Sequence, residues 1–453
     1  MRAPGPQVEP VEIPAGALLR LAALFPDRYP ALLDSAAQGP LSRTTLLAAL
    51  PRAALRLDAG GAGEQGGFLD ALDAAWRAAA AEAPGPPAAP ELPFTGGWIV
   101  YLGYELALQI EPSLAAHWPS ANHHDQRPVA CALRIPAVLV QESSGRGWLV
   151  TEAQVSAAER RQIRADLHAA ARAELPQAPP LESVEEEPAR YIERVQRAQQ
   201  YIAAGDIYQA NLSRRWQAQL PEDFSAAALY SRLRGSNPAP FAALLQLDDF
   251  RVLSSSPERL LRIRGRRVDT RPIAGTYPRG ATPEADRRLA AALVAHPKER
   301  AEHVMLIDLA RNDLGRVCTG GSVRVDEYMA VETYAHVHHL VSNVTGELRS
   351  DVSPAEVLRA VFPGGTITGC PKVRCMQIIA ELEGAPRGPY TGSLGYLNHD
   401  GSGDFNILIR TLSLQGRQLE LRAGAGIVAD SDPQRELAET RAKARGMLLA
   451  LRS

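Results

Sequence analysis

Strand-like stretches in this chain come in hairpin-linked groups and helix-like stretches come in pairs, and that grouping limits the fold more than any other feature. Strict alternation of strand and helix builds a parallel sheet, whereas strands grouped by tight turns build antiparallel ones. The runs GGWIVYLGYEL (96–106), VACALRIPAVLVQES (129–143) and GWLVTEA (147–153) read as one such group. The stretch from Phe241 to Thr276 reads as three strands, and residues 282–315 read as two helices. Further helices are expected over Phe68 to Ala81, over 156–175, and where Tyr191, Val195, Ala198 and Ile202 repeat at helical spacing before Gly205 and Asp206 stop them. A strand is expected in IYQANLSRRW (207–216). The fold class is therefore α+β with antiparallel sheets. A Pro-rich linker is expected at 82–93, and the main boundary at QAPPLESVEEEP (177–188), which separates an N-terminal region, 1–180, from a second one, 185–453.

The 453 residues suffice for two packed lobes or one large two-sheet body. Lys and Arg number 49 against 51 Asp and Glu, a net charge of −2, so no basic excess points to nucleic acid or an anionic membrane surface. Hydrophobic residues at 45% and charged residues at 22% are those of a folding chain rather than a disordered one. Four cysteines (Cys131, Cys318, Cys370, Cys375), none in a CxxC pair, indicate neither a disulfide framework nor a zinc ribbon, and they fit a reducing cytosol. The first residues lack the pattern of a signal peptide, and no run of about 18 apolar residues occurs, so a soluble cytoplasmic protein is expected.

Two helical segments present glutamates three residues apart, which places each pair on one helix face: Glu299 with Glu302, and Glu436 with Glu439, with Lys443 one turn further on. Hard oxygen donors of this kind suit Mg²⁺, which keeps several waters and takes one or two carboxylates. A solvated helix face is the plainer reading of either pair alone. Gly364, Gly365 and Gly369 precede a helix expected to begin at Pro371, a junction that suits a small anion; the Walker pattern fails there because Cys370, Pro371 and Lys372 follow. GAGIVAD (424–430) has only two glycines of the dinucleotide pattern. In YAHVHHLVSNV, His336 and His338 share one strand face, which allows a metal site, and His339 takes the other, where it is available for proton transfer. Arg410 interrupts the apolar run FNILIRTLSL and is an anion-anchor candidate. Cys370 and Cys375 read as packing residues. Together these residues suggest an Mg²⁺-assisted enzyme acting on a small polycarboxylate.

The words SSSPERL, RPIAGTYPRG, EHVMLIDLARNDLGRV, HHLVSNVTGEL, GGTITGCPKVRCMQII, RGPYTGSLGY, IRTL and GAGIVADSDPQRELAETRAKARGML stand in the order and spacing of one family. The chain resembles the chorismate-utilising enzymes, which include the large subunits of anthranilate synthase and aminodeoxychorismate synthase, with isochorismate and salicylate synthases as relatives. The match is specific over about 190–450, and RYPALLDSA and FTGGWIVYLGYEL extend it toward the N-terminus. The resemblance implies an α/β/β/α body of two large antiparallel sheets flanked by helices, with chorismate and Mg²⁺ between the sheets. Carried over by position, Glu302 and Glu439 resemble the Mg²⁺ ligands, with Glu299 and Glu436 supporting through water. Tyr390, Arg410, Gly424 and Gly426 are similar to the family's grip on the enolpyruvyl carboxylate, and Lys443 adds positive charge. Glu258 resembles the acid/base beside the C4 hydroxyl, which leaves as water. His339 and Thr366 resemble the pair near C2 and the pyruvate side chain. Gln209 stands where relatives that use water carry a lysine base, which implies that water is not the nucleophile here.

The branch within the family is read from conflicting words. Aminodeoxychorismate synthases usually carry PIKGT, whose lysine adds at C2 so that ammonia can enter at C4; here that position is Ala274, the anthranilate synthase pattern. Against it stand QANLSRR (209–215) where anthranilate synthases tend to show QVV, NPAPF (237–241), RGPYTGSLGY and GDFNILIRTL. The expected activity is that of an aminodeoxychorismate synthase large subunit, making 4-amino-4-deoxychorismate from chorismate and ammonia for 4-aminobenzoate and folate; anthranilate formation is the alternative, and a silent docking subunit the third reading. Nothing in the chain resembles a glutaminase, so ammonia is expected from a separate glutamine amidotransferase subunit, as a heterodimer. LLDS (32–35), with Ser35, facing Asn237, Pro240 and Phe241 resembles the pocket where relatives bind tryptophan, with Asp34 and Phe241 departing from the commonest forms.

Overall fold

A computed structural model describes residues 5–37, 44–59, 67–82, 92–118, 127–222, 224–334 and 337–452. The expected linker at 82–93 lies almost wholly outside the described residues, as does His336. Among the described residues there are two large sheets, one of twelve strands and one of ten, and every pairing in them is antiparallel. The grouping of strands in the sequence thus translates directly into sheet type.

The layers follow from which face of each sheet is apolar. Leu46, Ala48, Val138, Val140, Ala243 and Val252 of the twelve-stranded sheet pack against Ile99, Tyr101, Cys131, Leu133 and Leu394 of the ten-stranded one, so the two sheets meet face to face. The outer face of the larger sheet buries Leu47, Leu139, Leu244, Leu253 and Leu421 under helices that include Ala17–Leu24, Ala157–Arg172, Ala226–Ser236 and Pro433–Arg452. The outer face of the smaller sheet is covered by Phe68–Glu82, Pro297–Gly315 and Pro354–Val361. The result is the α/β/β/α order. Among the described residues no helix is long and apolar enough to cross a membrane.

The segment 177–188 divides the sequence but not the sheets. Strand Ala31–Asp34 pairs with Phe241–Leu247, and strand Gly97–Leu102 pairs with Ser393–Asn398, so text from both sides of that segment builds both layers. Phe241 to Thr276, expected as three strands, enters five: Phe241–Leu247, Phe250–Ser256, Arg259–Arg264, Arg267–Arg271 and Ile273–Pro278. Arginines in this stretch hide the strand alternation, and three of them are neutralised by acids on other strands. Arg262 pairs with Asp269 at 2.6 Å, Arg259 with Asp404 at 2.8 Å, and Arg271 with Glu332 at 2.6 Å. The helix expected from Pro371 begins at Lys372, with Pro371 as the flanking residue.

One charged cluster lies deep inside. Glu383 and Arg387, each with a side chain 1% exposed, are 2.6 Å apart, and Arg422 approaches Glu383 at 3.4 Å. Removing one member of such a pair strands the other's charge in a low-dielectric interior. Glu383→Ala is expected to lower the unfolding free energy by about 3–5 kcal/mol, measured by urea titration; a loss below about 1 kcal/mol would mean that water reaches the stranded arginines.

Candidate active site

The site is built where chain segments leave one sheet for the other. Strand Phe250–Ser256 belongs to the larger sheet and Arg259–Arg264 to the smaller, and Glu258 lies on the crossing between them. Strand Gly403–Asn406 belongs to the smaller sheet and Thr411–Gln415 to the larger, and Arg410 lies on that second crossing. Arg410 is therefore not in mid-strand, as its apolar surroundings in sequence suggested; it sits at a left-handed φ of 52° after the strand has ended. The crossings brace each other: the Ile407 amide donates to the Glu258 carbonyl at 3.0 Å and the Ser255 amide to the Arg410 carbonyl at 3.1 Å.

The floor is the strand pair Gln209–Gln219 and Gln418–Ile427, in which Ser213 faces Gly424 and Asn211 faces Gly426. Glycine is required at both positions by close approach. A Cβ on Gly424 would lie 2.6 Å from the Tyr390 hydroxyl, and one on Gly426 would lie 2.2 Å from the Gln209 amide nitrogen and 3.3 Å from Glu302. Lys443 donates to the Gly424 carbonyl at 3.0 Å and pairs with Glu439 at 2.7 Å. Tyr390, Lys443 and the two glycines thus form one neighbourhood, a hydroxyl and a cation over bare backbone, which suits a carboxylate, and Arg410 and Lys443 both act on Glu258.

Protonation states divide the site. Burial pushes the Glu258 carboxyl up to about 7, against the opposing effects of the nearby Thr366 hydroxyl, the Ile273 amide, Arg410 and Lys443. Burial, reinforced by Arg410, pushes His339 down to about 3, so its ring is neutral at physiological pH. The site thus offers a carboxyl able to donate a proton and an uncharged imidazole that resists taking one up. Ala274 is buried on strand Ile273–Pro278, opposite Leu340 and one residue from the His339 register position.

The acidic residues of the two helices act on one another through their charges. Gln209 donates to Glu302 at 3.0 Å. Burial raises the Glu302 pKa, and the charges of Glu299 and Glu439 raise it further; burial and Glu439 do the same to Glu436. This is a carboxylate cluster short of positive charge. Among the described residues no three acidic, histidine or cysteine side chains converge as a ready cage. Mg²⁺ needs only one or two carboxylates, with water and substrate completing its shell, and the donors are of the right kind. The residues fit the ion.

Other expectations resolve differently. His338 is not free for a metal: its ring meets Asp286 at 2.9 Å on one nitrogen and Thr333 at 2.9 Å on the other. LLDS and NPAPF do face each other, for the amides of Ala36 and Ala37 donate to the Ala239 carbonyl at 3.1 and 3.2 Å. Ser35 and Asn237 are half-buried there and Pro240 is buried. Asp34 is already held by Thr45 at 2.9 Å, Tyr230 at 3.2 Å and Arg234 at 2.8 Å, and the Phe241 ring is covered by Arg259 at 4.8 Å. Cys375 donates its thiol to the Gln209 carbonyl at 3.0 Å, a packing role that also fixes the floor. Sequence reasoning missed Asn211, Glu383 and Arg387. Arg387 donates to the carbonyls of Asn211 at 2.7 Å and Ile367 at 3.2 Å and to the Thr391 hydroxyl at 3.3 Å, and lies 5.5 Å from the Tyr390 ring centre. The i, i+4 spacing of Glu383 and Arg387 was the available signal, and it reads equally well as a surface pair.

The sequence profile of the chorismate binding enzyme family matches residues 30–449. Anthranilate synthase component 1 of Thermus thermophilus is 41% identical over 455 residues, covering 97% of this chain and 96% of that one. Aminodeoxychorismate synthase component 1 of Bacillus subtilis is 50% identical over 261 residues, covering 58% of this chain and 55% of that one. Among solved structures, anthranilate synthase component I from Streptococcus pneumoniae superposes with a TM-score of 0.78 at 31% identity, over 91% of this chain and 93% of the other.

The raised Glu258 pKa has a consequence for stability. Its value rises from 4.5 to about 7 on folding, so the stability this carboxyl contributes is complete below about 4.5 and is lost as pH rises through about 7. Glu258→Gln cannot ionise. It is expected to match the wild type near pH 4.5 and to exceed it by about 3 kcal/mol above pH 7, in urea unfolding at the two pH values. Equal stability at pH 8 would refute the burial argument.

Proposed function

The chain belongs to the chorismate binding enzyme family, and on that premise we propose that it aminates chorismate with ammonia, the C4 hydroxyl departing as water with the proton of Glu258. The observation that carries this reading is the buried Glu258 carboxyl beside Arg410 and Lys443, its pKa raised to about 7, where it can both hold and give up a proton. Tyr390, Arg410, Lys443 and the backbone at Gly424 and Gly426 hold the enolpyruvyl carboxylate. Glu302 and Glu439 hold Mg²⁺, with Glu299 and Glu436 behind them, and the ion, when bound, supplies positive charge to the ring carboxylate. Gln209 is engaged with Glu302 and carries no basic lone pair, which leaves ammonia rather than water as the nucleophile.

Ala274 decides what adds first. The chain contains three lysines: Lys372 pairs with Asp313 at 2.6 Å, Lys443 is bound to Glu439 and Gly424, and Lys298 lies on the helix with Glu299. None stands at position 274 to form a covalent adduct. Ammonia itself adds at C2 as the hydroxyl leaves C4, giving a 2-amino adduct and water. A second ammonia entering at C4 expels the first and gives 4-amino-4-deoxychorismate, the product we assign for 4-aminobenzoate and folate synthesis. Asn211, the polar residue of QANLSRR, supports this assignment: it donates to the Ile367 carbonyl at 3.3 Å and reaches the Tyr390 hydroxyl, so it belongs to the anchor. The second reading, loss of pyruvate from the same adduct to give anthranilate, is favoured by Ala274 and by the likeness to anthranilate synthase component 1 over nearly the whole chain. In either case ammonia comes from a separate glutamine amidotransferase subunit, because Cys131, Cys318 and Cys375 are buried and Cys370 lies against the strand of Gln209.

Two measurements test this reading. Chorismate, Mg²⁺ and ammonium at alkaline pH are expected to yield 4-aminobenzoate only when aminodeoxychorismate lyase is added; fluorescent anthranilate without the lyase would establish the second reading, and no aminated product would refute both. Glu439→Ala removes an exposed carboxylate and leaves its partner Lys443 bonded to the Gly424 carbonyl, so stability should change by less than about 1 kcal/mol. Its Mg²⁺-dependent turnover is expected to fall by about 100-fold. Unchanged turnover would remove Glu439 from the ion site.

A further inference from the structure

Behind Glu258, inside the smaller sheet and its covering helices, lies a cavity of about 30 Å³ walled by Leu306, Ala310 and Val361 and bordered by Glu258, Thr366 and Asp313. A water needs about 10–15 Å³ of such space and two to four polar partners. Two buried polar atoms on this wall, Glu258 Oε1 and Thr366 Oγ1, have no hydrogen bond of good geometry although Glu258 is only 4% exposed, and the Thr366 hydroxyl lies near enough to Glu258 to offset part of the effect of burial. A third group completes the set. Asp313, its side chain 8% exposed, is held from outside by Lys372 at 2.6 Å, and Lys372 also reaches the Val361 carbonyl at 3.4 Å.

We propose that this cavity is a fixed internal water site and that Asp313, set by Lys372, is a positioning residue for Glu258 acting through that water. The water donates one hydrogen to Glu258 Oε1 and one to the Asp313 carboxylate, and accepts the Thr366 hydroxyl. Its use follows from the acid role assigned above, on which the proposal rests. Once Glu258 has passed its proton to the departing hydroxyl, a carboxylate remains in a site from which solvent is excluded, and an unsolvated oxygen there is costly. The water supplies the missing hydrogen bond from the side away from the substrate. The charged groups facing Glu258 are Arg410 and Lys443 from the cleft and Asp313 and Arg259 across the cavity, and Arg259 is already paired with Asp404.

The test fills the cavity. Ala310→Val, or Leu306→Phe should the first fold poorly, places carbon where the water sits without touching a polar group. A crystal structure of the wild type should show a water bonded to Glu258 Oε1 and Thr366 Oγ1, and the filled variant should lack it. Infrared titration of the protonated carboxyl, assigned by its absence in Glu258→Gln, should place the Glu258 midpoint about one pH unit higher in the filled variant. Turnover of the filled variant should fall by about tenfold with KM for chorismate unchanged. A dry cavity in the wild type, or an unmoved midpoint in a variant whose cavity is filled, overturns the proposal. Failure of the acid reading looks different: Glu258→Gln would keep its turnover while the midpoint shift remained.

Discussion

A backbone that leaves one sheet to join another gives up its ladder of hydrogen bonds at the crossing, and in a buried place those amides and carbonyls must find other partners. Here the segment carrying Glu258 and the segment carrying Arg410 cross side by side and satisfy each other. The local backbone is then free of sheet geometry, so side chains there need not alternate between two apolar faces. That freedom lets a carboxyl and a guanidinium point into one cleft from positions where a regular strand would have demanded apolar packing. Arg410 takes a left-handed φ at its crossing, a conformation that costs free energy and persists because the surrounding bonds hold it.

The crossings alone would not fix the cleft. Arg387 ties three of its walls together by donating to Asn211 on the floor strand, to Ile367 beside Thr366, and to Thr391 beside Tyr390. Glu383 neutralises Arg387 and also accepts the Ser213 amide at 2.8 Å, so the acid that balances the charge is anchored to the same floor strand. Both terminal nitrogens of Arg387 reach a backbone carbonyl of the site, and its Nε is held by Glu383. A misplacement of Arg387 would therefore be felt at Tyr390, Thr366 and Asn211 together, and packing alone, which is non-directional, could not impose that correlation.

How much of this was legible in the sequence depends on how far each signal reaches. Hairpin grouping is local, so antiparallel sheets and the helices over 68–81 and 188–203 could be read directly. The acidic pairs could be read as helix faces, because i, i+3 spacing fixes a face but not what it meets. Nothing within either helix shows that Glu302 and Glu439, far apart in the chain, sense each other's charge. The two-region division misled for the same reason: a composition shift at 177–188 marks a loop, while the strand pairings that unite the sheets lie between residues 34 and 242 and between residues 102 and 393. Arginine-rich strands were undercounted because acids on other strands neutralise Arg259, Arg262 and Arg271, and pairing of that kind is invisible until register is known. The contrast between His338 and His339 was read correctly as opposite faces, but only tertiary contact shows that one is bound to Asp286 and the other buried beside Arg410.

The site also sorts its charges by distance, and Lys443 is the hinge of that sorting. On one side stand Glu258, its pKa raised by burial to about 7, and His339, kept neutral by burial; on the other stand Glu302 and Glu436, whose ionisation burial and the neighbouring Glu439 charge make costlier. Burial opposes the charge of Lys443, yet Glu439, Tyr390 and Glu302 outweigh it and raise its pKa, so the ammonium persists between the two groups. A dianionic substrate placed across that ammonium would meet cations and a hydroxyl at one carboxylate and an acidic cluster at the other. The second encounter is repulsive unless a divalent cation intervenes, so under the proposed function the metal and the substrate would depend on each other. The neutral acid at Glu258 then lies on the cationic side, where the carboxylate formed on giving up its proton is stabilised by Arg410 and Lys443. Under the proposed function, proton donation is favoured where the substrate carboxylate is held, and position 274, a methyl group with no chemistry of its own, leaves the nucleophile to come from outside the chain.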